Sequence, residues 1–234
     1  VQSGEADAVV LGATDPPPHP LTVGGFYNAR VISADAQLSK PLTQLRGTHI
    51  AGGAAVWIVG AREVMEAEGF RPLGMEPLAV GVTSDADHII TPSQEGPTEA
   101  MRRAFAGADL DASSMAHWDL HATATPGDFN EVEMVEKAIG GDVLVSARKG
   151  TFGHGMSAGG GWELTAQYLG YQRGRLYPTP LAEDELNRQI GGVHQRFVYD
   201  TACDAPAGPV GKLSMGVGGI NACVVSRPLD DDGD

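Results

Sequence analysis

The sequence has few cysteines, few basic residues and no long apolar run. Two cysteines in 234 residues, Cys203 and Cys223, cannot form the disulfide framework of a small secreted domain, so we expect a reducing, cytoplasmic location. Lys and Arg number 16 against 30 Asp and Glu, and the net charge of −14 argues against nucleic-acid binding, which needs basic clusters. No apolar run is long enough for a membrane span, and no Cys-x-x-Cys pair supports a zinc site, so we expect no metal ion.

What the sequence does contain is a regular alternation of apolar runs and helical patterns. Strands are predicted over 8–13, 54–61, 78–84, 115–122 and 143–148, with two more inside 213–228, and helices over 62–69, 96–108, 128–139 and 157–174. The run 54–61 has no polar interruption, so we expect it to be buried on both faces. This alternation predicts an α/β fold whose sheets are covered by helices. The acidic end, 230–234, is expected to be a solvated tail because like charges repel.

Two histidines stand in turns rich in Gly and Thr, each behind a predicted buried strand. His121 lies in DLHATATP (119–126) and His154 in RKGTFGHGMSAGGG (148–161). Because α/β folds bind ligands at the carboxyl ends of their strands, we expect the two imidazoles to meet in one cavity. Lys149 directly follows a buried strand and needs a carboxylate partner, which Glu131 or Asp128 could supply.

The same stretches carry a family resemblance. DLHATATPGDFNE is similar to the HGT-x-TP…D…E motif of β-ketoacyl-acyl-carrier-protein synthases, KGTFGH resembles their KS-x-x-GH, and SMGVGGINA resembles their FGFGGTN. Further segments match in order, among them EADAVVLGAT, SKPLTQLRGTHIAGGAAVWIV and SDADHIITP. The resemblance therefore covers nearly the whole chain, and the three motifs in this order are specific.

The resemblance implies a thiolase-like fold built from two similar halves. Residues 1–60 would be the end of the N-terminal half, 61–229 the complete C-terminal half, and 230–234 the tail. The implied reaction is decarboxylative Claisen condensation of an acyl thioester with malonyl-acyl carrier protein, in fatty-acid or polyketide synthesis. The implied partners are an acyl carrier protein, whose phosphopantetheine arm carries the substrate, and a like fold in a homodimer or heterodimer with 8–13 near the interface. No bound cofactor is implied.

The resemblance also assigns roles to individual residues. His121 and His154 would stabilise the enolate, Lys149 matches the family lysine, and Glu131 matches the glutamate expected to pair with it. The substrate-binding positions would be the Thr123 and Thr125 hydroxyls on the pantetheine arm, the Met215 backbone N–H with Gly216 and Gly218 of its turn, and Phe26 at the acyl pocket. Neutral imidazoles and backbone N–H groups suit this chemistry, since a developing enolate needs preorganised donors.

The sequence also departs from the family pattern. The nucleophilic cysteine would lie upstream of Val1, so we expect an upstream segment or a separate chain to supply it. Cys223 matches a strand position filled by small residues and is interpreted as a buried structural thiol, whereas Cys203 matches nothing catalytic. Met215 and Val217 replace two Phe of the glycine-rich turn. Ala122 replaces a Gly, which is tolerable only if its φ is negative.

Alternative functions remain open at this point. A non-catalytic partner resembling the chain-length factors would share the fold, but the presence of His121, His154 and Lys149 together favours an enzyme. A degradative thiolase would carry a cysteine in the turn that reads SMGVGG here. A synthase of the initiating type would have Asn in place of His154.

Overall fold

The computed structural model describes residues 1–16, 18–34, 39–88, 93–192 and 196–229. The predicted acidic tail, 230–234, lies outside these residues. The strands are β1 (Ala8–Asp15), β2 (Gly53–Gly60), β3 (Met75–Ser84), β4 (His117–Leu120), β5 (Leu144–Ala147), β6 (Arg175–Leu176), β7 (Arg196–Phe197), β8 (Cys203–Asp204), β9 (Val210–Gly216) and β10 (Ile220–Pro228). The helices are α1 (Pro20–Asn28), α2 (Arg62–Ala67), α3 (Glu95–Ala108), α4 (Gly127–Ile139), α5 (Lys149–Phe152) and α6 (Met156–Gln172).

The main sheet has the strand order β3-β10-β9-β4-β5-β7. Strands β9, β4, β5 and β7 run parallel to one another, whereas β10 is antiparallel to both β9 and β3. Every residue of β4 is buried. A parallel strand that is buried along its length requires cover on both faces, and here Trp118 and Leu120 join the core formed with α3 and α4. The predicted α/β fold is confirmed.

Helix α6 lies between the main sheet and a separate ribbon, in which β1 pairs with β2 in antiparallel register from Ala8↔Gly60 to Asp15↔Gly53. Small residues allow this close packing. A Cβ on Gly161 would lie 2.5 Å from the Ala55 Cβ of β2, and one on Gly160 would lie 2.9 Å from the Ser214 Oγ of β9. The glycines of α6 therefore set how closely both sheets approach the helix.

The prediction that β2 is buried on both faces is wrong for this chain. Burial alternates along the strand: Trp57 faces α6 and donates a hydrogen bond to Thr165 Oγ1 at 2.9 Å, whereas Val56 and Ile58 are 66% and 55% exposed. An uninterrupted apolar run shows that both faces of a strand are apolar, but it does not show whether a segment of this chain covers each face. Within the described residues, no helix is long and apolar enough to cross a membrane.

Candidate active site

The two histidines predicted to converge do so at one edge of the main sheet. Strands β4 and β5 are parallel neighbours, with Leu120 opposite Ala147, so both chains leave the sheet at the same end. His121 directly follows β4, and His154 follows the single turn of α5. The centroids of the two rings are 5.5 Å apart and their planes cross at 83°. The prediction that the two rings meet is confirmed, whereas a shared substrate cavity stays a prediction.

The hydrogen bonds at Nδ1 determine the tautomer of each ring. The Met156 N–H donates to His154 Nδ1 at 3.1 Å. The Lys149 ammonium, which can only donate, lies 3.3 Å from His121 Nδ1. Both Nδ1 atoms therefore accept, and each neutral imidazole carries its proton on Nε2. The site thus presents two N–H donors from rings in edge-to-face contact.

Both imidazoles are held in the neutral form. Burial, reinforced by the Lys149 ammonium, keeps the pKa of His121 well below its usual range. The same two causes lower the pKa of His154 to about 3. At neutral pH the site therefore offers hydrogen-bond donors without a net charge on either ring, which suits stabilisation of a developing oxyanion.

The backbone of the His121 turn is fixed first by Glu131. One carboxylate oxygen accepts from the His121 N–H at 2.6 Å and the other from the Ala122 N–H at 2.8 Å. Burial raises the pKa of Glu131 to about 7, although these two N–H bonds oppose the rise. Ala122 is not among the residues with positive φ, which meets the condition under which alanine can replace glycine there.

Asp128 binds the next two backbone amides of this turn, in the same way that Glu131 binds the first two. Its oxygens accept from the Thr123 N–H at 2.7 Å and the Ala124 N–H at 3.1 Å, and one of them also accepts from the Leu42 N–H at 2.9 Å. Ala124 adopts a φ of 62°, a left-handed conformation that these bonds help to hold. Two carboxylates from the first turns of α4 therefore bind four successive backbone amides of the motif.

The predicted ion pair between Lys149 and Glu131 is wrong. Lys149 Nζ instead lies 2.6 Å from Glu163 Oε1, with both side chains almost fully buried. Glu131 is already engaged, because both its oxygens bind backbone amides. Lys149 also donates to the His121 carbonyl oxygen at 2.6 Å, so it holds the backbone of His121 as well as its ring.

Two residues of this network, Glu163 and Lys212, were not anticipated from the sequence. Lys212 Nζ lies 2.8 Å from Glu163 Oε2, an ion-pair contact, so one carboxylate serves two lysines. Burial opposes ionisation of Glu163, but Lys149 and Lys212 outweigh it and lower the pKa of its carboxyl. A signal was present: Glu163 is the one charged residue within 156–172, and Lys212 is the one charged residue of β9.

The His154 turn is anchored by neutral backbone groups. The His154 N–H donates to the His49 carbonyl at 2.6 Å, and the Ala51 N–H donates to the His154 carbonyl at 2.9 Å. Gly153, with φ 76°, makes the turn that brings the chain into this bridge. The segment 49–51 therefore positions one of the two histidines.

The residues predicted to bind substrate lie on the His121 turn, in the hairpin of β9 and β10, and on α1. Thr123 and Thr125 follow His121 on the same turn, and their hydroxyl oxygens are 2.9 Å apart. Met215 lies half-buried near the end of β9, Gly216 is the last residue of that strand, and Gly218, with φ 92°, lies in the turn between β9 and β10. Phe26 is half-buried on α1, a helix with no fully buried residue. The substrate-binding roles of these residues stay predictions.

Cys223 lacks the features of an activated nucleophile. Cys223 is fully buried in β10, and burial raises the pKa of its thiol to about 12. Cys203 is a half-buried free thiol in β8. The interpretation of Cys223 as a buried structural thiol is confirmed. Among the described residues, no group of three or more His, Cys, Asp or Glu side chains could hold a metal ion.

The sequence is similar to known condensing enzymes. Residues 76–182 match the family model described as "Beta-ketoacyl synthase, C-terminal domain". The 3-oxoacyl-[acyl-carrier-protein] synthase 2 of Staphylococcus aureus (strain COL) is 29% identical over 245 residues, covering 98% of this chain and 57% of that protein. The synthase of the same name from Vibrio harveyi is 28% identical, covering 97% of this chain and 56% of that protein. The chain thus spans just over half the length of these relatives.

Solved structures show the same fold. A β-ketoacyl synthase from Burkholderia phymatum STM815 superimposes with a TM-score of 0.90 at 23% identity, covering 97% of this chain and 56% of that one. The ishigamide ketosynthase/chain length factor gives 0.87 at 22%, covering 97% and 55%. The AntDE:AntF complex, a type II polyketide synthase acyl-carrier protein with its ketosynthase, gives 0.87 at 20%, covering 97% and 58%. The fold is thiolase-like, as expected, and residues 76–182 are similar to the C-terminal domain of β-ketoacyl synthases.

Proposed function

We propose that the complete protein catalyses decarboxylative Claisen condensation of an acyl thioester with malonyl-acyl carrier protein, in fatty-acid or polyketide synthesis. The observation that carries this proposal is the pair of neutral imidazoles, 5.5 Å apart, whose Nδ1 atoms both accept hydrogen bonds. Two Nε2–H donors can then bind one substrate oxygen. The similarity to 3-oxoacyl synthases supports the same reaction.

The proposed reaction places negative charge on the thioester oxygen of the malonyl group, where the two imidazoles can stabilise it. The malonyl thioester oxygen would lie between His121 Nε2 and His154 Nε2. When the bond to the malonyl carboxylate breaks, CO₂ leaves and its bonding electron pair passes to the α-carbon and onto the thioester oxygen. The two N–H donors stabilise that enolate, and loss of one such donor typically costs about 10²–10³ in rate. The α-carbon then attacks the acyl thioester carbonyl, a carbon–carbon bond forms, and the thiolate leaves.

The acyl chain would be carried by a cysteine from outside residues 1–234, in an upstream segment or a separate chain. Cys223 does not suit this role, because its thiol is buried with a pKa of about 12. The Met215 backbone N–H would serve as a donor to the acyl carbonyl oxygen. The Thr123 and Thr125 hydroxyls would contact the phosphopantetheine arm of the carrier protein, the kind of partner named for the AntDE:AntF relative.

We also propose that the ribbon β1–β2 is covered in the complete protein, which would pair as a homodimer or as a heterodimer of like folds. Val10 is 70% exposed, and Val56 and Ile58 of the neighbouring strand are more than half exposed. Contiguous apolar exposure of this kind marks a surface that another segment covers. Light scattering on the complete protein should give the mass of a dimer, and a monomer at micromolar concentration would contradict this part of the proposal.

The test measures CO₂ release from malonyl-acyl carrier protein by the complete protein. His121→Ala and His154→Ala should each lower the decarboxylation rate by about 10²-fold or more, since each removes an oxyanion donor. His88→Ala removes an exposed histidine and should leave the rate unchanged. If the complete protein releases no CO₂ although it binds the malonyl carrier, the non-catalytic alternative, a partner resembling a chain-length factor, replaces this proposal.

A further inference from the structure

The second lysine on Glu163 has no part in the chemistry described so far. Lys212 lies in β9 and is 2% exposed. Its ammonium donates to the Leu213 carbonyl at 2.7 Å and to the Leu120 carbonyl at 3.1 Å, and lies 2.8 Å from Glu163 Oε2. Two hydrogen bonds to carbonyl oxygens and one ion-pair contact therefore hold the ammonium group between β9, the end of β4 and Glu163.

These contacts tie Lys212 to the same turn that Lys149 holds. Lys212 binds the carbonyl of Leu120, the last residue of β4, and Lys149 binds the next carbonyl, that of His121, at 2.6 Å. Glu163 lies between the two ammonium groups, 2.6 Å from one and 2.8 Å from the other. Two lysines that share a carboxylate therefore hold two successive carbonyls at the point where the chain enters the site.

The charge balance around Glu163 requires both lysines. A buried carboxylate is ionised only when nearby positive charge compensates its desolvation. The charged and titratable groups that act on Glu163 or on its two lysines include Lys149 of α5, Lys212 of β9, His117 and Asp119 of β4, Glu131 of α4, Cys223 of β10, and the two imidazoles His121 and His154. Asp119 is paired with Arg148 at 2.6 Å, and repulsion between the Asp119 and Glu163 carboxylates opposes ionisation of both. With Lys212 removed, Lys149 alone would have to compensate the charge of Glu163.

We propose that Lys212 is a positioning residue of the two-histidine site: it keeps Glu163 ionised, and Glu163 in turn holds Lys149 against His121. This inference rests on the proposed function for its kinetic test, but the arrangement of charge that it describes does not depend on the reaction. Lys212 touches neither imidazole, so it acts through Glu163 and the Leu120 carbonyl. Burial opposes its charge, yet Glu163 and Asp119 outweigh that effect and raise the pKa of the Lys212 ammonium.

The kinetic test compares Lys212→Met with the native protein in malonyl-carrier decarboxylation across pH. With one compensating charge gone, Glu163 should take up a proton at higher pH. The acidic limb of the kcat profile should then move upward by about one pH unit, a tenfold change in the ionised-to-protonated ratio at a given pH. KM for the malonyl carrier should stay within about twofold, because Lys212 lies behind the turn rather than against the substrate.

Matched variants separate charge from hydrogen bonding and from general damage. Lys212→Arg keeps the charge and should restore the native acidic limb at least in part. Lys212→Gln keeps a donor for the carbonyls without the charge, so its limb should resemble that of Lys212→Met. Lys137→Met removes an exposed lysine whose partner is Glu133, and it should leave the profile unchanged.

A direct readout keeps the inference testable if the complete protein does not decarboxylate malonyl carrier. Carbon-13 NMR of labelled glutamate carboxyls should show one buried carboxyl whose titration midpoint is higher in Lys212→Gln than in the native protein. The inference is overturned if the Lys212 variants only lower stability to urea, while the acidic limb and the carboxyl midpoint both stay where they are in the native protein.

Discussion

The turn that carries His121 and the turn that carries His154 bring their rings together but are held by different kinds of hydrogen bond. Around His121, Glu131 and Lys149 bind the backbone through charge-assisted hydrogen bonds of 2.6–2.8 Å. Around His154, the partners are the neutral backbone groups of His49 and Ala51. Hydrogen bonds to charged groups are stronger than neutral ones but depend on the protonation state of their partners.

The two predicted portions of the chain, the end of the N-terminal half and the C-terminal half, contribute differently to the two turns. The side chains that bind the His121 turn all lie in the portion predicted to be the C-terminal half, and from the other portion only backbone groups reach it, such as the Gly47 N–H, which donates to the Ala124 carbonyl at 2.8 Å. The His154 turn also needs the segment 49–51, from the portion predicted to be the end of the N-terminal half. Edge-to-face contact of the two rings therefore depends on the two portions being packed together through α6 and its neighbours.

The largest expected effect comes from Glu163→Gln, which tests whether charge holds the His121 side. Lys149 and Lys212, each nearly fully buried, would both lose their carboxylate. Removal of one partner from a buried ion pair costs roughly 3–5 kcal/mol, and here two ammonium groups are affected. Urea unfolding of the complete protein should show a loss of at least this size.

The control for this variant is Glu133→Gln, which breaks the exposed i,i+4 pair with Lys137. Exposed pairs of this kind contribute about 0.3–0.5 kcal/mol, so the unfolding midpoint should barely move. If Glu163→Gln cost no more than Glu133→Gln, the His121 turn would not depend on the buried charges.

The sequence predicted the site better than the contacts that support it. Strand ends can be read from apolar runs, and parallel neighbours end at the same edge, so the meeting of His121 and His154 followed from local pattern. The carboxylate that pairs with Lys149 could not be predicted from local pattern. The family resemblance implies Glu131, and proximity in sequence allows Glu131 or Asp128, but the carboxylate that reaches the ammonium comes from α6, fourteen residues after Lys149 in the chain. Packing of a helix against a sheet decides such a pair.

The exposed face of β2 shows a similar limit. Val56 and Ile58 form part of an uninterrupted apolar run, and the pattern correctly indicates that both faces of the strand are apolar, although one of them is exposed in this chain. Pattern alone cannot say that α6 covers only the face with Trp57. Burial is a property of the packed assembly, whereas periodicity is a property of the strand.

A smaller effect is expected from Gly153→Ala, which tests the neutral anchoring of His154. Gly153 adopts φ 76°, and a Cβ there would lie 3.0 Å from the Ala51 Cβ and 3.2 Å from the His49 carbonyl oxygen. With ψ −179°, Gly153 lies in a region of backbone conformation that essentially only glycine occupies, which costs another residue about 1–3 kcal/mol, and crowding adds to this cost. We expect a loss of about 2–3 kcal/mol in urea unfolding and a lower decarboxylation rate, since the bridge to His154 must shift.

Gly174→Ala provides the matched comparison for Gly153→Ala. Gly174 adopts φ 64°, but a Cβ added there would meet no atom within 4 Å, so this variant reports backbone strain without crowding. It should cost about 1–2 kcal/mol and leave the decarboxylation rate unchanged. Equal losses of stability and rate in the two variants would mean that segment 49–51 does not position His154.

The smallest expected effect is a pH response confined to the His121 turn. Burial raises the pKa of Glu131 from its ordinary 4.5 to about 7, so this carboxyl should take up a proton near neutral pH. A protonated oxygen must donate rather than accept, so one of the two amides, that of His121 or that of Ala122, loses its acceptor. The amide resonances of His121 and Ala122 should therefore shift with a midpoint near pH 7, whereas the His154 amide, bound to a carbonyl, should not.

The sign of the accompanying change in stability follows from the same shift. The folded state binds the Glu131 proton more tightly than the unfolded chain, so this group makes the free energy of unfolding rise as the pH falls from about 7 toward 4.5. Glu131→Gln should abolish both the amide midpoint and this contribution, at a cost of about 1–3 kcal/mol for the backbone amide left without an acceptor. If the His121 and His154 amides shifted together, with one midpoint that survives in Glu131→Gln, the two turns would respond as a single unit and the contrast between charged and neutral anchoring would not hold.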